Sequence, residues 1–315
     1  MSAKSKVLVT CPMPESFMEG LRKLEYEVDY HPQISQEEAE SVIHKYHGVV
    51  VATSICVDER FLSKAGWLSW VGRAGSGLDN LDIRALDQRG IRYFSSPEGN
   101  RDAVAEHALG MLLALMNHIH RADREVRKGM WLREENRGLE IMGRTIAIIG
   151  FGNTGSRFAR KLSGFGVQIL AYDKYKKNYA PDYVRETDME TIFREAGIVS
   201  LHVPLTEETR YMVNREFLNN FQKPVYLLNT SRGPVVNTLD LLDCLDEGQV
   251  LGACLDVLET ENLKPGQTGH LPWFHRLARH PRIILTPHVA GWTHESFEKI
   301  SRVLLKKVPP APSIS

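Results

Sequence analysis

The chain of 315 residues is long enough for about two domains of roughly 150 residues, each able to bury its own core. Its 39 basic side chains balance 39 acidic ones and no dense basic run restores a local field, so no nucleic-acid partner is expected. The four cysteines, Cys11, Cys56, Cys244 and Cys254, show no C-x-x-C spacing, which argues against a zinc site, another metal centre or a disulfide framework and suits a reducing cytoplasm.

The opening "MSAKSKVLVTCPMPESF" holds only a five-residue apolar stretch, too short for the core of a signal peptide. From Lys6, short apolar runs alternate with polar, helix-like ones: "KVLVT", a helix to Leu24, "EVDY", a Glu-rich stretch and "HGVVVAT", then "LSWVGRAG", "LDIRALDQRG" and "IRYFSS". Strands separated by helices predict βαβ units and a parallel sheet, so a first α/β unit runs from about Lys6 to Pro97.

In "NRDAVAEHALGMLLALMNHIHRADREVRKGMW", Val104, Ala108, Met111, Leu112 and Leu115 follow a helical period, with Asn100 or Asp102 as the expected cap. One or two long helices therefore bridge the first unit to a second. The apolar "HALGMLLALM" falls short of a membrane span, so no membrane association is expected. His107, His118 and His120 read as helix-surface or interface histidines, because no carboxylate or cysteine lies at metal-ligand spacing.

The second unit opens at "GRTIAIIGFGNTGSRFARKLSGFGVQILAYDKY" and continues through "IVSLHV", "VYLLN", "VLGACLDVL" and "RIILT". A last helix, "WTHESFEKISRVLLKK", is able to fold back on the first unit, and the Pro-rich "VPPAPSIS" is expected to fray.

Gly150, Gly152 and Gly155 follow the strand-like "TIAIIG" and open a helix, the context a dinucleotide fingerprint demands. Gly150 makes the tight turn, Gly152 lets backbone approach a pyrophosphate, and Gly155 packs helix on strand. The helix N-terminus supplies N–H groups and the positive end of its dipole. Asp173, eighteen residues beyond Gly155 at the end of the next strand, can accept from both adenosine ribose hydroxyls and repel a 2′-phosphate. NAD is thus the expected cofactor, a preference that Lys174 slightly softens.

Arg232, Glu261 and His288 each follow a predicted strand of this unit, on the edge where open α/β sheets bind ligands. Reducing a 2-keto acid requires a proton for the developing alkoxide, and a histidine paired with a carboxylate suits that role near neutral pH. A guanidinium can clamp the substrate carboxylate and polarise the carbonyl. His288 is the expected acid and Arg232 the clamp; Glu261 and Glu259 compete as the partner carboxylate, and spacing alone does not choose between them.

Across nearly its whole length, through "GRAGSGLDNLD", "GNRDAVAEHALGMLLAL", "IGFGNTG", "LHVPLTEETR", "LLNTSRGPVVN", "GACLDVLETE" and "TPHVAGWT", the chain resembles the D-isomer-specific 2-hydroxyacid dehydrogenase family. That family includes phosphoglycerate dehydrogenase, glycerate (hydroxypyruvate) dehydrogenase, D-lactate dehydrogenase and the C-terminal binding protein corepressors. The resemblance implies two doubly wound parallel-sheet domains, Rossmann-like or flavodoxin-like, with a cleft between them. Residues 1–100 and 290–315 would form a discontinuous substrate-binding domain and residues 101–289 an NAD-binding Rossmann domain.

It further implies a catalytic triad of Arg232, Glu261 and His288, which favours Glu261 over Glu259. Thr53, Ala74, Gly75, Ser76 and Gly77, together with Arg232, would bind substrate. Cofactor contacts would come from Gly150, Gly152, Asn153, Thr154, Gly155, Asp173, Val203, Pro204, Thr209, Thr230, Ser231, Asp256 and Gly291, with Asp256 at the nicotinamide carboxamide. A homodimer would be held partly through residues from about Asn100 to Arg144.

Two departures from the family pattern bear on substrate. Ala52, Thr53 and Ile55 stand where phosphoglycerate dehydrogenases tend to place arginines, which weakens the case for a phosphorylated substrate. The loop "ENLKPGQTGHLPWFHRLARHP" is somewhat long, and no regulatory domain is expected; Trp273 and Trp292 could shape the pocket or simply pack. The expected function is NAD-dependent hydride transfer with a small 2-hydroxy or 2-keto acid, of the hydroxypyruvate, glyoxylate or 3-phosphoglycerate class. The alternative is an NADH-sensing dimeric interaction protein resembling the corepressors. Formate-type dehydrogenases pair the histidine with glutamine, so Glu261 favours carbonyl reduction.

Overall fold

The computed structural model describes residues 5–261 and 271–312. Backbone contacts divide the chain into two compact units, residues 1–101 with 292–315 and residues 102–291.

The first unit is built on a sheet of β1 (Lys6–Val9), β2 (Glu27–Tyr30), β3 (Gly48–Val51), β4 (Trp70–Arg73) and β5 (Arg92–Ser95). They lie in the order β2-β1-β3-β4-β5, all pairs parallel. Strand alternation sends Leu8 into a cluster with Ile43, Phe61 and Leu86, and Val7 and Val9 into another with Phe17, Trp70 and Leu304. Both faces are covered, as parallel sheets require. Trp70 is fully buried and its Nε1–H donates to Tyr26 Oη at 3.0 Å, so the indole satisfies its one donor inside the core.

The last helix, His294–Lys307, belongs to this unit. Thr293 and Ser296 form its reciprocal capping box, and Leu304 is buried beside Phe17 and Trp70. Truncating such a side chain to alanine costs about 2–5 kcal/mol. The segment after it is held as far as Ala311: Val308 is buried, Ala311 N–H donates to Leu24 O at 3.0 Å, and Tyr26 Oη–H donates to Pro310 O at 3.3 Å, while residues 313–315 lie outside the described residues. Two backbone anchors and one apolar contact tie down residues 308–311, which composition alone assigns to a loose end.

The bridging segment is two helices, Pro97–Met116 and Ile119–Arg127, separated by His118 at φ 54°. Neither Asn100 nor Asp102 caps the first one, since both lie inside it. Pro97 starts it instead, because proline has φ already set for a helix and lacks the N–H that the first turn would leave unpaired.

The second unit carries seven strands: β6 (Thr145–Ile149), β7 (Gln168–Tyr172), β8 (Arg185–Glu186), β9 (Ile198–Leu201), β10 (Val225–Asn229), β11 (Val250–Leu255) and β12 (Ile283–Leu285). Their order, β12-β11-β10-β9-β6-β7-β8, is entirely parallel and reverses direction between β6 and β9. The two-residue β8 is exposed and has no apolar run to signal it. Ile146 and Ile148 face Leu112 and Phe158, while Ala147 and Ile149 belong to the opposite core with Leu227 and Leu241.

That opposite core also contains Trp273, 6% exposed, whose role is packing. Trp292 belongs to the first unit, is exposed, and meets Phe297 edge-on. The long segment before His288 is not all loop, because Phe274–Arg279 is helical. Its residues 262–270 lie outside the described residues. No helix of the described residues is long and apolar enough to cross a membrane.

Candidate active site

The glycine turn stands where the strand order of the second unit reverses, the usual ligand edge of an open α/β sheet. After β6, Gly150 adopts φ 90°, and a Cβ there would lie 2.5 Å from His202 O. A Cβ on Gly155 would lie 2.1 Å from Gly150 O, so only glycine lets the helix Asn153–Leu162 close on the turn. Gly152, the N-cap of that helix, meets nothing within 4 Å. Backbone there is open to an anion at the helix N-terminus.

Around this turn the carboxyl edge is rich in oxygen acceptors and hydroxyls. Asp173, just past β7, accepts from Phe151 N–H at 2.9 Å and from Tyr175 N–H at 3.1 Å. Lys176 Nζ donates to Phe151 O at 2.8 Å. Thr154 Oγ1 lies 3.2 Å from His202 Nδ1, and Ser200 Oγ lies 2.9 Å from His202 Nε2. Burial pushes the His202 imidazole down to about 3, so it stays neutral beneath the turn.

Val203 and Pro204 follow β9, where Thr209 Oγ1–H donates to Pro204 O at 2.7 Å and accepts from Thr206 N–H at 2.8 Å, closing the loop. Past β10, Ser231 Oγ–H donates to the buried Asn229 Oδ1 at 2.7 Å. Thr230 Oγ1 is buried with no hydrogen-bond partner among the described residues. A buried hydroxyl lacking a protein partner, an open glycine at a helix N-terminus and a carboxylate past the second strand are a donor and acceptor set that fits NAD.

The three charged residues stand on neighbouring loops of the same edge. Past β10, Arg232 is fixed through its backbone by Asn229 Nδ2–H donating to Arg232 O at 3.0 Å, and its Nη1–H donates to Ser231 O at 2.7 Å. Past β11 and β12, Glu261 and His288 meet: His288 Nδ1–H donates to Glu261 Oε2 at 2.6 Å. Glu259 is committed elsewhere, accepting from Thr238 N–H at 2.7 Å and from Tyr211 Oη–H at 3.0 Å. With Nδ1 held by a carboxylate, the imidazole has Nε2 left to serve a substrate.

His288 is held by a network centred on Asp256, which is 1% exposed. Its backbone φ is 54°, a left-handed conformation uncommon for a residue with a side chain, and its N–H donates to Asp256 O at 2.7 Å. The Asp256 carboxylate accepts from Thr286 Oγ1–H at 2.6 Å and from the N–H groups of Val289 and Ala290, each at 2.9 Å. Thr286 Oγ1 in turn accepts from His107 Nε2–H at 3.0 Å. His107 is therefore not a plain helix-surface histidine, and neither its role nor that of Thr286 was read from sequence. The only available signal was an imidazole on a helix face otherwise made of core residues.

A cavity of about 480 Å³ opens here, lined by Asp256, Glu261, Phe274, Thr286 and His288 among others. Gly291 ends this unit. Among the described residues no cluster of three or more His, Cys, Asp or Glu side chains is arranged to hold a metal ion.

In the first unit, the loop after β4 runs through Ala74, Gly75, Ser76 and Gly77. Gly75 N–H donates to Arg73 O and Ser96 Oγ, and Ser76 Oγ–H donates to Asn100 Oδ1. Among the described residues no protein acceptor takes the N–H groups of Ser76 or Gly77. Thr53 is exposed on the loop after β3, which Asn80 Nδ2–H braces by donating to Ala52 O at 2.7 Å and Ile55 O at 2.6 Å.

Residues 109–290 match the family model described as "D-isomer specific 2-hydroxyacid dehydrogenase, NAD binding domain". The chain is 32% identical over 305 residues to the D-3-phosphoglycerate dehydrogenase of Archaeoglobus fulgidus, covering 96% of this chain and 56% of that protein. It is 32% identical over 309 residues to the hydroxypyruvate reductase of Thermotoga maritima, covering 97% of this chain and 98% of that one. The chain thus spans about half the length of the first of these relatives and nearly all of the second. In structure it resembles the D-lactate dehydrogenase of Aquifex aeolicus, solved with NAD and lactic acid, with TM-score 0.81, 27% identity, and 96% and 93% of the two chains covered. The glycine turn, the two parallel sheets and these matches together show that the chain belongs to the D-isomer-specific 2-hydroxyacid dehydrogenase family and carries its NAD binding domain.

Proposed function

We propose that the protein is an NAD-dependent D-2-hydroxyacid dehydrogenase that interconverts a small 2-keto acid and its 2-hydroxy acid. The observation that carries this reading is the 2.6 Å contact between His288 Nδ1 and Glu261 Oε2, on the same sheet edge as the glycine turn. Bound NADH would supply the hydride. The imidazolium of His288, its Nδ1 tied to Glu261, holds at Nε2 the proton that a developing alkoxide requires. Arg232 binds the substrate carboxylate and draws electron density from the carbonyl. The Thr286 and Asp256 hydrogen bonds keep His288 in its left-handed turn, so no reorganisation is needed as charge develops.

Residues 1–100 and 290–315 are assigned to substrate binding, and residues 101–289 to NAD. The free N–H groups of Ser76 and Gly77 suit a carboxylate. The preferred substrate is unphosphorylated, of the hydroxypyruvate or glyoxylate kind. Ile55 is wholly buried and Ala52 and Thr53 carry no charge, so this loop supplies no cation for a phosphate. The near full-length match to a hydroxypyruvate reductase points the same way.

A homodimer is favoured by the exposed Ile119, Val126, Met130, Trp131, Leu139 and Met142, all within the 100–144 stretch. Four free cysteines suit a cytoplasmic location. No specific observation favours the NADH-sensing interaction protein. The test is NADH oxidation by the purified protein with hydroxypyruvate, glyoxylate, pyruvate and 3-phosphohydroxypyruvate. Turnover with a preference for an unphosphorylated acid is expected; preference for the phosphorylated acid overturns the substrate assignment, and tight NADH binding with no turnover overturns the enzyme reading.

A further inference from the structure

Three lysines, Lys174, Lys176 and Lys177, follow Asp173, the carboxylate proposed to read the adenosine ribose, and the first two are engaged in ways that bear on cofactor choice. Lys176 is spent on Phe151 O at 2.8 Å, inside the glycine turn. Lys174 reaches the other way. Its Nζ donates to Glu208 Oε1, and Tyr175 Oη–H donates to Glu208 Oε2 at 2.7 Å, so one carboxylate holds two successive side chains of the β7 loop. The ammonium also lies 5.8 Å from the centre of the Tyr175 ring, a second attraction in the same posture.

Glu208 stands on the loop after β9, and Lys174 on the loop after β7. Those strands flank β6, whose end carries the glycine turn. The link therefore spans the strand end at which the helix Asn153–Leu162 begins. Pairing with Lys174 and Tyr175 lowers the Glu208 carboxyl, and pairing with Glu208 raises the Lys174 ammonium, so the link is charged at neutral pH. The backbone supports the same arrangement, since Asp173 accepts Tyr175 N–H and so fixes the direction in which the chain leaves the carboxylate.

We propose that Glu208 is a positioning residue for cofactor selectivity: by holding Lys174 away from Asp173, it denies a 2′-phosphate the lysine next to that carboxylate in the chain. This rests on the reading that Asp173 meets the ribose. Selectivity for NAD would then have two parts, repulsion by Asp173 and withdrawal of Lys174, on separate loops. The second part is a difference of affinities achieved by removing an attraction that the sequence "DKYK" would otherwise supply.

The test measures binding, independent of turnover. Dissociation constants of NADH and NADPH are obtained by fluorescence titration for the unaltered protein, Glu208→Gln, Lys174→Met and the double variant, at one fixed ionic strength. Glu208→Gln is expected to tighten NADPH about fivefold, the scale of one exposed charge pair, with NADH changed less than twofold. In the Lys174→Met background the same substitution should have no effect on NADPH. An unaltered NADPH to NADH ratio in Glu208→Gln overturns the proposal. So does a gain in NADPH affinity that persists without Lys174, which would make Glu208 a plain repulsive charge, or an equal loss of both cofactors, which would make it a general support. Failure of the unaltered protein to bind either cofactor would instead defeat the NAD reading itself, and this inference with it.

Discussion

Each unit presents loops at the carboxyl ends of parallel strands, but the loops offer different chemistry. After β4 in the first unit, the groups on offer are the backbone N–H groups of Ser76 and Gly77. After β10, β11 and β12 in the second, they are the charged side chains of Arg232, Glu261 and His288. The sheet supplies only a place, while the loop supplies the chemistry. Backbone donors bind a carboxylate with little dependence on residue type; proton transfer and carbonyl polarisation need particular side chains in particular states.

That contrast can be broken at several points. Replacing Glu261 with Gln removes the charge opposite His288 Nδ1 while keeping shape, and keto-acid reduction should fall by about 10²-fold in kcat/KM. A fall of less than threefold would show that His288 needs no carboxylate. The buried His202 gives a stability test on the same edge. Its folded pKa lies near 3, below the unfolded value near 6.5. The unfolded chain therefore binds the extra proton in between.

His202's contribution is full above about pH 6.5 and is lost as pH falls toward 3, by up to about 1.4 kcal/mol per pH unit. His202→Gln should flatten the stability slope between pH 6 and 4 relative to the unaltered protein; an identical slope would mean that the imidazole is not held neutral. The smallest effect is expected in the first unit. Ser76→Ala removes a hydroxyl that bonds Asn100, leaves the backbone donors in place, and should change KM for the keto acid less than about threefold. A larger loss would place the hydroxyl itself on the substrate.

The same contrast explains what could be read from sequence. Both parallel sheets were legible, because runs such as "VLV", "GVVV", "TIAII" and "VYLLN" are almost wholly apolar and separated by helical periods, as buried parallel strands are. The exposed β8 pair and the start of the bridging helix at Pro97 were not, since one has no apolar signal and the other lies upstream of better-looking capping residues. At the candidate site, the glycine spacing was legible because Gly150 and Gly155 answer steric demands, and His288 and Arg232 stood out by their chemistry. Spacing could not separate Glu261 from Glu259. The geometry does, because Glu259 is already hydrogen-bonded to Thr238 and Tyr211 while Glu261 faces the imidazole. The contact from His107 to Thr286 joins residues 179 positions apart and leaves no local pattern to find.

The central claim is that His288, held by Glu261, gives up the proton during keto-acid reduction. The most direct measurement is kcat/KM for the preferred keto acid in the unaltered protein and in His288→Ala, with the NADH dissociation constant determined for both. kcat/KM should drop by about 10²-fold or more while NADH affinity stays within about twofold. Unchanged turnover, or a loss explained entirely by weaker NADH binding, would contradict it.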